Sequence, residues 1–519
     1  EYYYVYRGVP KLYGLMQDAD GRAGGYSAQN LTNSGILQVQ RPPLSLTGKG
    51  VIVGFVDSGI RYDMEVFRRE DGTSRILSIW DQTIQDGTPP EGFDIGTEYT
   101  NAQINEALRS DDPFSIVPST DEDGHGTAMA SVAAGQSTTY GAFFQGAAPD
   151  ADIVMVKCRE GKQYLRDYYM IPEGVPAYSD ADIGMAVKYL DQLARVGKRP
   201  VIICIGMGTN WGDHSGNSVL SRYLSRVAEK RNRVVVIPGG NEGNAGHHYG
   251  SLFAINSTGI EQTVEMRVGE GEQGFLMELW GSRPNITKLS IRSPGGETIP
   301  VIDFRSRETR NYSFVYERTR IAVDYVLVEQ GSGDELVVMR FTMPTPGVWT
   351  FLVETKGETG YGNFNMWLPI TQFLRSDTYF LRSTPYMTLT VPSMASSAIT
   401  PSAYNADNNS FYIESSRGFV RAGGIKPDFA APGVDVPTVL GTRRGSCMAV
   451  AITVGAAAQF MQWAVVEGND VLAQSVEVKA YFIRGAVRDP GMIYPSRSWG
   501  FGRLNVARAF EIIAGTTSS

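Results

Sequence analysis

The first strong pattern in the chain is an unbroken apolar run, Gly50-Val-Ile-Val-Gly-Phe-Val-Asp57, that ends in an acid. Buried parallel strands read as continuous apolar stretches, and ligand-handling groups sit at their carboxyl ends. Runs of the same kind follow at residues 153–157, 201–205 and 234–237. Between them, residues 126–134, 182–196 and 218–230 carry helical spacing. Strands alternating with such helices predict βαβ units and a doubly wound, mostly parallel α/β sheet up to about residue 249.

From about residue 251 the helical period disappears. Short alternating runs at 262–268, 320–328, 335–341 and 347–353 replace it, separated by turns such as Pro294-Gly295-Gly296. This spacing predicts an inserted antiparallel β-sandwich or jelly roll. From Met387 the α/β character returns, with a long helix from about Cys447 and a last helix at 506–514. The chain therefore divides into an N-terminal segment (1–45), a first α/β part (46–249), the insertion (250–386) and a second α/β part (387–519). Residues 61–120 are polar and irregular, with Pro89-Pro90, and are expected to cover the surface. Residues 447–466 are apolar enough to suggest a membrane span, but Thr453, Gln459 and Gln462 among Gly and Ala fit a helix buried in a large domain. No membrane span is expected.

Composition narrows the chemistry. The 519 residues carry a net charge of −8, so no basic footprint favours nucleic acid or an anionic membrane. Three cysteines are too few for a disulfide framework at this length, and none lies in a CxxC pair, which disfavours structural zinc. The aromatic start, Glu1 to Arg7, lacks the order of a secretory signal, and the missing initiator Met reads as processing or truncation. There are four histidines: His125, His214, His247 and His248. His247 and His248 have no accompanying carboxylate cluster and are expected at the surface or against the insertion. No loop has calcium-ligand spacing, so neither metal nor cofactor is expected. Asp121-Glu122-Asp123 reads as a solvated loop, and Cys158 and Cys204 as buried packing residues.

Three short motifs carry candidate chemistry: Asp57-Ser-Gly after a strand, Gly124-His-Gly-Thr127 opening an apolar helix, and Gly445-Ser-Cys-Met-Ala449 opening the long one. Their chain order is acid, imidazole, nucleophile, an order that distinguishes one group of triad hydrolases from the others.

These motifs resemble those of the subtilases. Gly240-Asn241-Glu-Gly243 resembles the family's oxyanion motif, Ile205-Gly-Met-Gly208 its substrate-pairing strand, and Trp499-Gly-Phe-Gly-Arg-Leu-Asn505 its closing motif. The insertion, with Pro10-Lys-Leu-Tyr-Gly-Leu15, Ser78-Ile-Trp-Asp81 and Gly274-Phe-Leu-Met-Glu-Leu-Trp280, is similar to the clostridial Csp germination proteases and their relatives in gut Firmicutes. The resemblance implies endopeptidase activity on polypeptides, a propeptide whose tail or junction is residues 1–15, and a spore-associated or extracytoplasmic setting in a Gram-positive bacterium. It also implies His125 as general base, Asp57 as its partner and Asn241 as oxyanion donor. Gly206, Met207 and Gly208 would pair with substrate, and Gly239 and Gly240 would line the specificity pocket. Where the family has Ser, this chain has Cys447, as a natural variant or an engineered change, with Ser446 one residue out of register. Two other readings are a pseudoprotease that signals or scaffolds in spore germination, and a surface-binding role centred on the insertion.

Overall fold

The computed structural model describes residues 10–16, 19–21, 28–137, 144–251, 261–302, 309–356 and 363–515. The apolar runs form one six-stranded sheet: β1 (Ile52–Asp57), β2 (Ile76–Asp81), β3 (Thr97–Thr100), β4 (Asp152–Lys157), β5 (Val201–Ile205) and β6 (Arg233–Val236). Their spatial order is β6-β5-β1-β4-β2-β3. All neighbours are parallel except β3, which closes one edge antiparallel to β2. The fold is therefore the α/β class expected from the sequence, with β1 at the centre and Asp57 at its carboxyl end.

Residues 61–120 differ from the expectation of an irregular surface cover. They supply β2 and β3, and Ile76, Ile79 and Trp80 are fully buried. The polar positions that disguised this strand find partners only in three dimensions. Ser78 Oγ lies 2.7 Å from the Tyr189 hydroxyl, and Asp81 accepts from Thr83 N–H (2.8 Å) and Ser119 Oγ (2.7 Å).

Four of the helices that pack on this sheet are α1 (His125–Ala134), α2 (Asp180–Gly197), α3 (Val219–Ala228) and α4 (Ser446–Met461). The Ser179 and Ser218 side chains cap α2 and α3, accepting from Asp182 N–H and Ser221 N–H. The apolar stretch at 446–466 lies inside the core, and every residue of α4 is buried. Its polar side chains tie it to neighbouring backbone. Gln459 Nε2 donates to the Leu46 and Ala147 carbonyls, and Gln462 Oε1 accepts from the N–H groups of residues 47, 48 and 49. Gly455 permits close packing, since a Cβ there would lie 3.0 Å from the Ala133 carbonyl of α1. The two helices whose first turns hold His125 and Cys447 are thus packed directly on one another.

Among the described residues, the inserted region forms two antiparallel sheets of six and five strands. Their facing side chains, including Phe275, Met277, Met339, Trp349, Phe351 and Met366, make a separate core. The six-stranded sheet turns its other face to the α/β part, where Leu276, Trp280, Val338 and Trp367 join the main core. Polar contacts fasten that face: Trp211 Nε1 donates to the Leu276 carbonyl (2.9 Å) and Gly212 N–H to Glu278 (2.8 Å). Arg421 pairs with Asp334 at 2.6 Å.

Candidate active site

The site forms where β1, α1 and α4 converge. Asp57 ends β1, His125 is the first residue of α1, and Cys447 is the second residue of α4. All three are buried. Asp57 Oδ1 lies 2.7 Å from His125 Nδ1 and also accepts from Ser58 N–H at 2.8 Å. Gly206 makes room for this pair, because a Cβ there would fall on Asp57 Oδ2 and come within 3.1 Å of His125 Cε1. Gly126 is constrained likewise, since a Cβ there would fall on the Gly59 carbonyl oxygen and come within 3.2 Å of Asp57 Oδ1. These glycines in the motifs answer to the space the acid and imidazole need.

Asp121 is not a solvated loop residue. Its Oδ1 accepts from Ser58 Oγ (2.8 Å) and Gly124 N–H (2.9 Å), and its Oδ2 from Thr127 N–H (2.8 Å) and Thr127 Oγ1 (2.6 Å). This buried carboxylate joins the loop after Asp57 to the first turn of α1. Glu122 and Asp123 beside it are exposed, so a run of three acids hid one structural member.

On the other side, Asn241 Oδ1 accepts from Ser446 N–H at 2.9 Å, which fixes the amide against the start of α4. The Ser446 hydroxyl has no hydrogen-bond partner among the described residues. Cys447 Sγ lies 3.2 Å from the carbonyl oxygen of Met16 and 3.9 Å from that of Gly206. Burial pushes the Cys158 and Cys204 thiols well above their ordinary value and keeps them protonated.

Met16 belongs to a segment of the chain that runs through the cleft. Residues Leu12–Leu15 form a strand between Tyr178–Ser179 and Met207–Gly208, antiparallel to both. Gly14 pairs with Gly208, Leu15 with Met207, and Met16 N–H donates to the Gly206 carbonyl at 3.0 Å. Thr390 bridges the Met16 side chain and Gly239: its Oγ1 lies 3.7 Å from Met16 Sδ, and its N–H donates to the Gly239 carbonyl. Gly240 adopts φ +105° with its Cα against Thr390 and Ser416. Beyond the cleft, Ala19 and Asp20 pair with Arg444 and Arg443, just upstream of Cys447. Of the expected propeptide junction (residues 1–15), residues 1–9 lie outside the described part.

Glu242, which the motif reading passed over, links the Asn241 loop to the insertion. Its Oε1 accepts from Thr371 N–H and Oγ1, both at 3.0 Å, and its Oε2 lies 2.5 Å from His247 Nδ1. Burial alone would raise its carboxyl, but the His247 and Thr371 interactions outweigh that and hold it below the ordinary range. His247 and His248 are buried against the insertion and not at the surface. His248 and His214 both stack on Trp367, with ring centroids 4.5 Å and 4.0 Å away. Burial holds both imidazoles neutral, His214 down to about 3 and His248 to about 4. Among the described residues, no group of three His, Cys, Asp or Glu side chains is arranged to hold a metal ion.

Residues 48–278 match the model of the subtilase family. The CspB protease of Clostridium perfringens has a similar structure, with a TM-score of 0.82 and 28% identity over 94% of this chain and 98% of that one. The subtilisin-like protease SBT3.8 of Arabidopsis thaliana is 25% identical over 258 residues, 44% of this chain. The match spans 31% of that relative's length. With its α/β fold and its converging acid, imidazole and α4 N-terminus, the chain carries a subtilase-family domain over residues 48–278.

Proposed function

We propose that the chain is a subtilisin-like endopeptidase whose nucleophile is Cys447, activated by His125 and Asp57. The observation that carries this reading is the cleft strand. It presents the Met16 carbonyl 3.2 Å from Cys447 Sγ while Asp57 holds the His125 ring. In this scheme His125 Nε2 takes the thiol proton and Sγ attacks the substrate carbonyl carbon. Asp57 keeps the imidazole in the required tautomer and stabilises the imidazolium. The Asn241 amide and Cys447 N–H, at the positive end of α4, receive the oxyanion. His125 then returns its proton to the departing amine, and water hydrolyses the thioester by the reverse sequence.

Thiolate leaves more readily than an amine, so the tetrahedral intermediate tends to revert to substrate. Esters are therefore expected to be cleaved faster than peptides, and Cys447→Ser to gain peptidase activity. Gly206, Met207 and Gly208 serve as the strand that pairs with substrate, and Gly239 and Gly240 back the pocket for the residue before the cut. The chain's own segment at residues 12–16 acts as an intramolecular, propeptide-like occupant of that cleft. The test is labelling by a peptide chloromethyl ketone, with mass spectrometry to locate the adduct, beside peptide hydrolysis by Cys447→Ser. Absence of label on Cys447, together with no activity in the Ser variant, would refute the assignment.

A further inference from the structure

Residues 368–373, which link the six-stranded sheet of the insertion to the Tyr379–Phe380 strand of its five-stranded sheet, lie over the cleft strand. Gly14 is the third residue back from the Met16 carbonyl, and it is buried. A Cβ on Gly14 would fall on the Gln372 side-chain nitrogen and within 2.7 Å of both Gln372 Cδ and Ile370 Cδ1. Gln372 can swing away, since its Nε2 has no acceptor among the described residues. Ile370 cannot: it is 1% exposed and packed into the main core. The backbone between them is also pinned. Thr371 is held by Glu242, Phe373 N–H donates to the Ile370 carbonyl (2.9 Å), and the Phe373 ring stacks on Trp211 at 5.4 Å. The Glu242 that anchors this segment is the neighbour of Asn241, so clamp and candidate oxyanion loop share one support.

From this geometry we infer that the 368–373 segment of the insertion is a specificity element. Ile370 and Gln372 close over the third residue before the cut, so the peptides this cleft accepts carry glycine there, as in Tyr13-Gly14-Leu15-Met16. The inference rests on the peptidase reading above, and it assigns the insertion a part in substrate choice. The neighbouring positions fit the same picture. Tyr13, Leu15 and Met16 are buried at 0%, 1% and 4% exposure, so the cleft holds large apolar side chains on both sides of the glycine.

Two measurements test it. Amide exchange at Met16, whose N–H donates to the Gly206 carbonyl, reads cleft occupancy in the full chain without requiring catalysis. Overpacking a fitted site by one methyl is expected to raise exchange there about tenfold or more in Gly14→Ala. Adding Ile370→Ala and Gln372→Ala to Gly14→Ala makes room and returns exchange toward the wild-type rate. Adding Gln372→Ala alone, at a partly exposed position, gives a partial return and serves should the triple variant fail to fold. The second measurement compares fluorogenic Tyr-Gly-Leu-Met and Tyr-Ala-Leu-Met esters on the wild-type chain. The N-terminal strand competes with both alike, so the ratio survives, and glycine is expected to lead by about tenfold in kcat/KM. Unchanged exchange in Gly14→Ala, or equal cleavage of the two esters, overturns the inference. If neither ester is cut while the exchange series behaves as stated, the peptidase reading falls and the clamp stands.

Discussion

Asp121→Ala is the most direct test of how the site is held together. The substitution removes the acceptor for four buried donors: Ser58 Oγ, Gly124 N–H, Thr127 N–H and Thr127 Oγ1. The hydroxyls can rotate toward other acceptors; Ser58 Oγ already lies 3.2 Å from Asp57 Oδ1. The two N–H groups cannot, and each buried orphan costs about 1–3 kcal/mol. With the loss of charge-assisted bonds, the total is about 3–6 kcal/mol. At about 2.1 cal/mol/K per residue, a 519-residue chain unfolds with an entropy near 1 kcal/mol/K. The melting temperature should therefore fall by about 3–6 °C, read by circular dichroism or dye binding. Asp121→Asn keeps one oxygen and should fall about half as far. Glu122→Ala, on the exposed neighbour, is the control. Because Asp121 ties the loop after Asp57 to the first turn of α1, kcat for an ester substrate should fall with KM little changed. If Asp121→Ala melts within about 1 °C of Glu122→Ala, the claim that this carboxylate joins the two loops is wrong.

Other outcomes follow from single contacts. Gly206→Ala drives a methyl onto the Asp57 carboxylate, so kcat should drop by about a hundredfold or more as the His125 tautomer is lost, with the fold retained by circular dichroism. Burial raises Glu335 from an ordinary 4.5 to about 7, so the folded state holds this proton more tightly than the unfolded chain. That contribution is complete below pH 4.5 and lost by pH 7, a change of about 3 kcal/mol. Glu335→Gln, which still accepts from Thr287, should therefore gain stability over the wild type at pH 8 and none at pH 4; an equal difference at both pH values would exclude the titration. Glu242→Ala releases Thr371 and His247 together, and should lower kcat more than it raises KM if the Asn241 loop depends on that anchor. A change confined to KM would remove Glu242 from the support of that loop.

Much of the framework was legible because it depends on local pattern. Unbroken apolar runs can be buried only on both faces, which is why the runs at 50–57, 153–157, 201–205 and 234–237 read as strands of a parallel sheet, found at Ile52–Asp57, Asp152–Lys157, Val201–Ile205 and Arg233–Val236. The strand at Ile76–Asp81 did not, because Ser78 and Asp81 look like surface residues until Tyr189 and Ser119 are brought alongside. Asp121 misled for the same reason. An acid in a polar run reads as solvated, and four donors converging from two loops are invisible along the chain. His247 and His248 were half legible: their contact with the insertion was expected, and their full burial beside Glu242 and Trp367 was not.

The sequence by itself determined the α/β framework, the inserted β region and the order of the acid, imidazole and thiol motifs, because each rests on residue types at short spacing. Only the tertiary structure decided that Leu12–Met16 lies in the cleft with its last carbonyl against Cys447, and that Ile370 and Gln372 cover Gly14 from a segment some 350 residues later in the chain. Such contacts are made by the folding of distant segments onto one another, and no periodicity or motif records which of them will meet.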